Sequence, residues 1–259
     1  MSERKEQMEA FGRLLDIMDE LREKCPWDRE QTMESLRNLT IEETYELADA
    51  ILDQEMEEVR KELGDLALHI VFYAKIGQEK GEFDISDVLH GVSEKLIRRH
   101  PHVFGERSVS GAREVETNWE EIKLKEGTKN RVLSGVPDSL PAMIKAHRIQ
   151  DKARAVGFDW SEKSDIWNKI QEELLELQNE LEQENQERME EEFGDLLFSV
   201  VNAARLYHIE PETALERTNK KFIRRFNHIE ATALKQGRSI RKMTLDEMET
   251  LWQEGKKMG

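Results

Sequence analysis

Cysteine is almost missing from this chain. Cys25 stands alone among 259 residues, so no intrachain disulfide can form and packing must hold the fold. Only five prolines and fourteen glycines interrupt the sequence, which leaves long stretches free of helix breakers. Collagen, mucin and low-complexity patterns are absent. No apolar run approaches the roughly 20 residues of a membrane span. The start, Met1-Ser2-Glu3-Arg4-Lys5-Glu6, leads into no apolar stretch of signal-peptide kind. A soluble, cytoplasmic protein without a membrane partner is therefore expected. Positive charge is also scarce, with a formal net charge of −16. Duplex nucleic-acid binding relies on a basic face that neutralises phosphates, so no duplex partner is expected. An acidic chain that handles phosphates needs divalent cations to bridge the repulsion.

What remains suits amphipathic helices with charged outer faces: 37% hydrophobic and 36% charged residues. No convincing strand alternation is present, and the expected class is all-α. The length allows one large domain or two small ones, and a repeat decides between them. Ile41-Glu42-Glu43-Thr44-Tyr45-Glu46-Leu47, followed by Glu62-Leu63-Gly64-Asp65-Leu66, matches Gln171-Glu172-Glu173-Leu174-Leu175-Glu176-Leu177, followed by Glu192-Phe193-Gly194-Asp195-Leu196. The separation between the parts is the same in both copies. Lys95-Leu96-Ile97-Arg98-Arg99 is echoed by Lys221-Phe222-Ile223-Arg224-Arg225. Three matching blocks in one order point to a duplicated domain.

The clearest break is 127–141, with two glycines and two prolines. It divides an N-terminal helical domain, 1–126, from a C-terminal one, 142–259. Helices are expected near 5–23, 32–52, 55–79, 84–99 and 112–125, then near 140–155, 162–182, 186–208, 211–236 and 244–257. Starts are plausible at Asp84 or Ser86, at Ser161 with Ser164 close by, and at Thr244, with Glu247 at capping-box spacing.

The chemistry lies in the carboxylates. Glu172 and Glu176 are four apart, Glu173 and Glu176 three apart, and Glu192 and Asp195 three apart. On helices each pair lies on adjoining turns of one face. If the two helices form an antiparallel hairpin, both acidic pairs can face one cleft. Crowded carboxylates repel, and burying them is costly. Mg²⁺ offsets this, taking oxygen ligands and bridging carboxylates to substrate phosphates. Gly194, and Gly64 in the other copy, sit inside helices, where glycine costs about 1 kcal/mol relative to alanine. Their recurrence suggests close backbone approach beside the acids. The alternative is a solvated acidic face, and Glu57-Glu58 and Glu190-Glu191 are read that way. Both second elements are Glu-x-x-Asp and lack the histidine of Glu-x-x-His di-iron bundles, so oxygen-only ligation favours Mg²⁺ or Mn²⁺.

The pattern Glu-Glu-x-x-Glu, a spacer, then Glu-x-x-Asp resembles the all-α nucleotide pyrophosphohydrolases, which include MazG and the dimeric dUTPases. Cys25-Pro26-Trp27-Asp28-Arg29-Glu30-Gln31-Thr32, Arg98-Arg99-His100-Pro101-His102-Val103-Phe104 and Val156-Gly157-Phe158-Asp159-Trp160 resemble MazG signatures, and the likeness covers nearly the whole chain. Met33 departs from it, standing where the family commonly has histidine. The resemblance implies Mg²⁺-dependent hydrolysis of nucleoside triphosphates to monophosphate and pyrophosphate. It also implies a four-helix catalytic core and a homodimer. By position it gives metal ligands at Glu173, Glu176, Glu192 and Asp195, matched in the first copy by Glu43, Glu46, Glu62 and Asp65. It places nucleotide contacts at Lys169, Glu172, Lys221, Arg224 or Arg225, and Trp252.

Glu172 or Glu173 can orient or deprotonate the attacking water, and the sequence does not choose between them. Lys221 and Arg225 are four apart and can face one phosphate tail; a solvated basic stripe is the plain alternative. Trp252 can stack on a base or simply pack. Asn202, seven residues after Asp195, shares its helix face and can reach a ligand, whereas the first copy has Phe72 there. His69, His100, His102 and Cys25 are read as structural. Two rivals stay open: a dUTPase-like diphosphatase with one preferred base, and a non-catalytic metal-binding regulatory module. Broad base tolerance is expected, with the second half carrying most of the catalysis.

Overall fold

In a computed structural model, residues 3–111, 131–160 and 162–257 are described, together with 114, 115, 118, 119 and 122. Every regular element among the described residues is helical. The chain divides into two compact units, Met1–Trp119 and Glu120–Gly259. No helix among the described residues is long and apolar enough to cross a membrane.

The first unit holds α1 (Glu3–Lys24), α2 (Pro26–Glu30), α3 (Met33–Asp53), α4 (Met56–Glu79), α5 (Ile85–Arg99) and α6 (Pro101–Phe104). In the second unit a 3-10 turn at Val132–Gly135 precedes α7 (Ala142–Ala155), α8 (Asp165–Gln183), α9 (Gln186–Leu206) and α10 (Pro211–Lys235). A second 3-10 turn at Ile240–Lys242 leads to α11 (Leu245–Lys256). The expected helices fall within a few residues of these, except 112–125, which lies largely outside the described residues, as does Ser161. Two short helices, α2 and α6, were not expected. Each begins at a proline, whose fixed φ and missing N–H suit the first helical position. His102 lies in α6, and His100 is the residue just before it.

Local chemistry explains the boundaries. Asp84 and Thr244 cap α5 and α11 through capping boxes with Asp87 and Glu247. Thr32 does the same for α3 with Ser35. The two central hairpins repeat one connection. α3 ends at Gln54 and α8 at Glu184, both left-handed, with φ of 60° and 55°. One further residue then precedes the next helix. This sharp reversal lays α3 along α4 and α8 along α9.

Apolar faces hold each unit. Met18, Leu36, Val71, Phe72 and Ile76 form the core where α1, α3 and α4 meet. Ile229, Ala233, Met243 and Leu251 close α10 against α11. Lys75 pairs with Asp19 at 2.5 Å and Arg22 with Glu79 at 2.5 Å, fastening α1 to α4. In the second unit, Gln150 on α7 donates to the Phe198 carbonyl of α9 at 2.8 Å.

The expectation for the helical glycines is corrected. A Cβ built at Gly64 or Gly194 meets nothing within 4 Å among the described residues, so no neighbouring element among them packs closely against either glycine. Glycine in a helix marks a missing side chain, and the open space beside it here belongs to no neighbouring element.

Leu36 is 1% exposed, in the middle of the first core. Leu36→Ala should lower stability by about 2–5 kcal/mol in urea unfolding, as buried leucine truncations do. A change below about 1 kcal/mol would show that the core assigned here is not closed.

Candidate functional site

The hairpins bring the carboxylates together. On α3 and α4, carboxylate oxygens of Glu43, Glu62 and Asp65 all lie within 4.8 Å of one another. On α8 and α9 the same holds for Glu173, Glu176 and Glu192. Each trio draws from both helices, as hairpin geometry requires. Glu46 and Asp195, the fourth acid of each expected set, are exposed and outside the closest trios. The copies differ in which acid lies outside the closest trio, Glu46 in the first and Asp195 in the second.

Electrostatics records the crowding. Partial burial first, then the charges of Asp65 and Glu46, hold the Glu43 carboxyl above the ordinary carboxylate range. Glu62 is raised by desolvation, then by the charges of Glu43 and Asp65, with a hydrogen bond to Glu43 adding to them. Glu46 is raised by desolvation and then by Glu62. In the second half, Glu176 is raised by desolvation and then by Glu173. Carboxylates that resist ionisation beside one another have the donor set of a hard divalent cation. Glu62 Oε2 is buried without a hydrogen-bond partner, a lone pair that such a cation would satisfy. The oxygen-only trios fit Mg²⁺ or Mn²⁺.

The halves differ at one charge. Lys169 on α8 bonds Glu172 at 2.8 Å and Glu173 at 2.9 Å, and both bonds hold its ammonium well above the usual lysine value. Glu173 is buried, so Lys169 gives it a permanent counter-charge. Glu172 stays exposed at the rim. The position matching Lys169 in the first half is Leu39, which packs against the first core. There, no lysine stands at the corresponding place.

The remaining candidates fall in two places. Asn202 is half-buried on α9, and its Oδ1 accepts a bond from Arg205 at 2.9 Å. Lys221, Arg224 and Arg225 lie on α10, the first two exposed. The Arg225 guanidinium stands 5.5 Å over the Trp252 ring, and Phe222 lies 5.0 Å from it. Trp252 also packs against the α10–α11 core, so packing is part of its role. Lys95 and Arg99, the matching basic pair, lie on α5. His69 is buried on α4, with its pKa lowered by desolvation against an opposing pull from Asp65. The sequence offered no signal for Arg205, whose partner Asp159 is 46 residues away.

The raised carboxyls make a pH prediction for the metal-free protein. A carboxyl raised in the folded state contributes stability that is full below the unfolded value, near 4.5, and is lost as pH climbs through the folded value. Glu79, lowered by its hydrogen bond to Arg22, and Glu247, lowered by its bond to the Thr244 backbone, act in the opposite sense, and their contribution is lost as pH falls below 4.5. Glu62→Gln should therefore melt at higher temperature than the parent at pH 7 in chelator, with the gap closing toward pH 4.5. A variant that melts lower at pH 7 would remove the repulsion from the account.

Known proteins bear on this geometry. The family model described as the MazG nucleotide pyrophosphohydrolase domain matches twice, over residues 31–104 and 162–230, and each match contains one acidic hairpin. A nucleoside triphosphate pyrophosphohydrolase of Escherichia coli is 42% identical over 258 residues, covering 96% of this chain and 98% of that one. The nucleoside triphosphate pyrophosphohydrolase/pyrophosphatase MazG of Thermotoga maritima is 41% identical over 250 residues, 95% of each chain. A nucleoside triphosphate pyrophosphohydrolase of Mycobacterium tuberculosis is 37% identical over 150 residues, 56% of this chain and 46% of that one. With both acidic hairpins inside matched domains, and relatives matching nearly end to end, the chain belongs to the MazG nucleotide pyrophosphohydrolase family.

Proposed function

We propose that this protein hydrolyses nucleoside triphosphates to nucleoside monophosphate and pyrophosphate with Mg²⁺, and that the second half does most of the work. The observation that carries this reading is the acidic trio Glu173, Glu176 and Glu192, set beside Lys169 and Glu172 on one hairpin. Glu173, Glu176 and Glu192, with Asp195 one turn along α9, would hold the cation. The chemistry that Mg²⁺ would supply there is polarisation of a phosphate and activation of water.

The chain's own groups supply the rest. Lys169, 2.9 Å from Glu173, pairs with that buried carboxylate and orients it. Glu172, exposed with Lys169 on one oxygen, would accept a proton from the attacking water. Lys221, Arg224 and Arg225 offer positive charge for the leaving pyrophosphate. The groups given roles here serve the phosphates and the metal, and Trp252 can stack on any base, which supports broad base tolerance.

The first half reads as a weaker or regulatory site. Phe72 stands where the second half has Asn202 and is buried in the core, with the Arg22 guanidinium 5.5 Å from its ring. That removes a polar contact and dries the region. A homodimer is also part of this reading. Leu174, Phe193, Leu197 and Val200 are large, apolar and exposed on the second hairpin, as are Leu63 and Ile70 on the first. Exposed apolar surface on this scale suits a subunit interface. The cytoplasm is the compartment proposed.

Purified protein incubated with each NTP and dNTP plus Mg²⁺ should release monophosphate and pyrophosphate, with specificity constants that vary little among bases. Diphosphate plus phosphate would refute the reading, and one base favoured by several orders of magnitude would promote a dUTPase-like enzyme. Between matched, folded variants, Glu173→Ala should lower kcat by several orders of magnitude and Glu43→Ala by far less. The reverse order would move catalysis to the first half.

A further inference from the structure

The open end of the second hairpin holds a buried polar network that the acidic trio does not use. Arg205, near the end of α9, is 8% exposed. A buried guanidinium is costly unless its donors are matched and its charge paired. Both conditions are met. Nη1 donates to Oδ2 of Asp159 at 3.2 Å, Nη2 donates to Oδ1 of the same carboxylate, and Nε donates to Oδ1 of Asn202 at 2.9 Å. The two-pronged bond to Asp159 fixes the guanidinium plane. The direction of Nε is then fixed as well, and with it the end of the Asn202 amide that must face Arg205.

An amide has an acceptor end and a donor end. With Oδ1 committed to Arg205, the NH₂ is the end left for another partner. Seven residues are nearly two helical turns, so Asn202 continues the line of Asp195 along α9, about 10 Å further on. A nucleotide whose phosphates sit at the acids has its nucleoside at about that remove. The first half lacks the device. Phe72 replaces the asparagine, and Lys75, at the place of Arg205, pairs with Asp19 instead.

We propose that Arg205, anchored by Asp159, is a positioning residue that fixes the Asn202 amide as a hydrogen-bond donor, and that this donor binds an acceptor atom on the nucleoside part of the substrate. The inference rests on the second half being the nucleotide site. Loss of Arg205 frees the amide to turn its oxygen toward the substrate, where two acceptors would oppose each other.

The test compares full-length parent, Asn202→Ala, Arg205→Met and the double variant. Turnover of ATP with Mg²⁺ is measured beside binding of AMP and of pyrophosphate by calorimetry. Asn202→Ala should raise KM about tenfold with kcat nearly unchanged, the mark of lost uniform binding. It should weaken AMP by a similar factor and leave pyrophosphate unaffected. Arg205→Met should give the same pattern, and the double variant should be no worse than Asn202→Ala alone, because both act through one bond. Losses that multiply in the double variant would make Arg205 merely structural and overturn the proposal. So would Asn202→Ala with parent-like AMP affinity, or one that weakens pyrophosphate and not AMP. If Arg205→Met fails to fold, Asn202→Asp decides: it keeps the acceptor for Arg205 but loses the donor. It should melt like the parent and bind AMP as poorly as Asn202→Ala, and parent-like AMP binding would overturn the proposal. A parent without turnover that still binds AMP leaves these binding comparisons decisive, whereas a parent with neither sinks the site reading and this inference with it.

Discussion

Carboxylates held on facing helices repel one another, and in this protein the same crowding recurs in both halves. Like charges a few ångströms apart repel even at the effective dielectric of a protein surface. Three oxygens from three acids within 4.8 Å of one another are therefore a standing strain on each hairpin. The fold holds them there because the short left-handed reversals at Gln54 and Glu184 set the register of each helix pair. Packing then locks that register. Met18 and Leu36 close the first unit, and Ile166 and Leu177 are buried on α8 of the second. Relief must come from positive charge, and the two halves supply it differently.

The second half carries its own lysine. Lys169 pairs with both Glu173 and Glu172, so the buried acid has a counter-charge of its own. Around it the chain has kept polar groups: Arg205, Asp159 and Asn202 form one connected set. The first half has gone the other way. Leu39 and Phe72 stand at the places of Lys169 and Asn202 and belong to the core. Burying them adds to packing, at the expense of contacts that a nucleotide would use. The same duplicated hairpin thus serves folding in one unit and is read as serving chemistry in the other.

Much of this was legible in the sequence. The even spacing of Glu43 to Glu62 and Glu173 to Glu192 implied paired hairpins, and the Thr244–Glu247 capping box was readable because such caps are local. Interactions between distant residues were not legible. Asp159 meets Arg205 across 46 residues, and nothing in either neighbourhood announces the other. The partners of Lys169 are three and four residues away, yet the resemblance gave it a nucleotide contact and carried no word of the two acids it bonds. The helical glycines misled for another reason. A glycine reports that a side chain is missing and says nothing of what lies opposite, which at Gly64 and Gly194 is open space.

The central claim is that clustered acids need a divalent cation, and melting in the presence and absence of Mg²⁺ tests it without any substrate. An ion that binds the folded state alone raises stability by RT ln(1 + [L]/Kd), about 2.7 kcal/mol at a hundredfold excess over Kd. At pH 7, millimolar Mg²⁺ should raise the melting temperature of the chelator-treated parent. The rise should shrink in Glu173→Ala and vanish when Glu43→Ala is added. A parent whose melting temperature is unmoved by Mg²⁺ or Mn²⁺, or a double variant that keeps the full rise, would contradict the account.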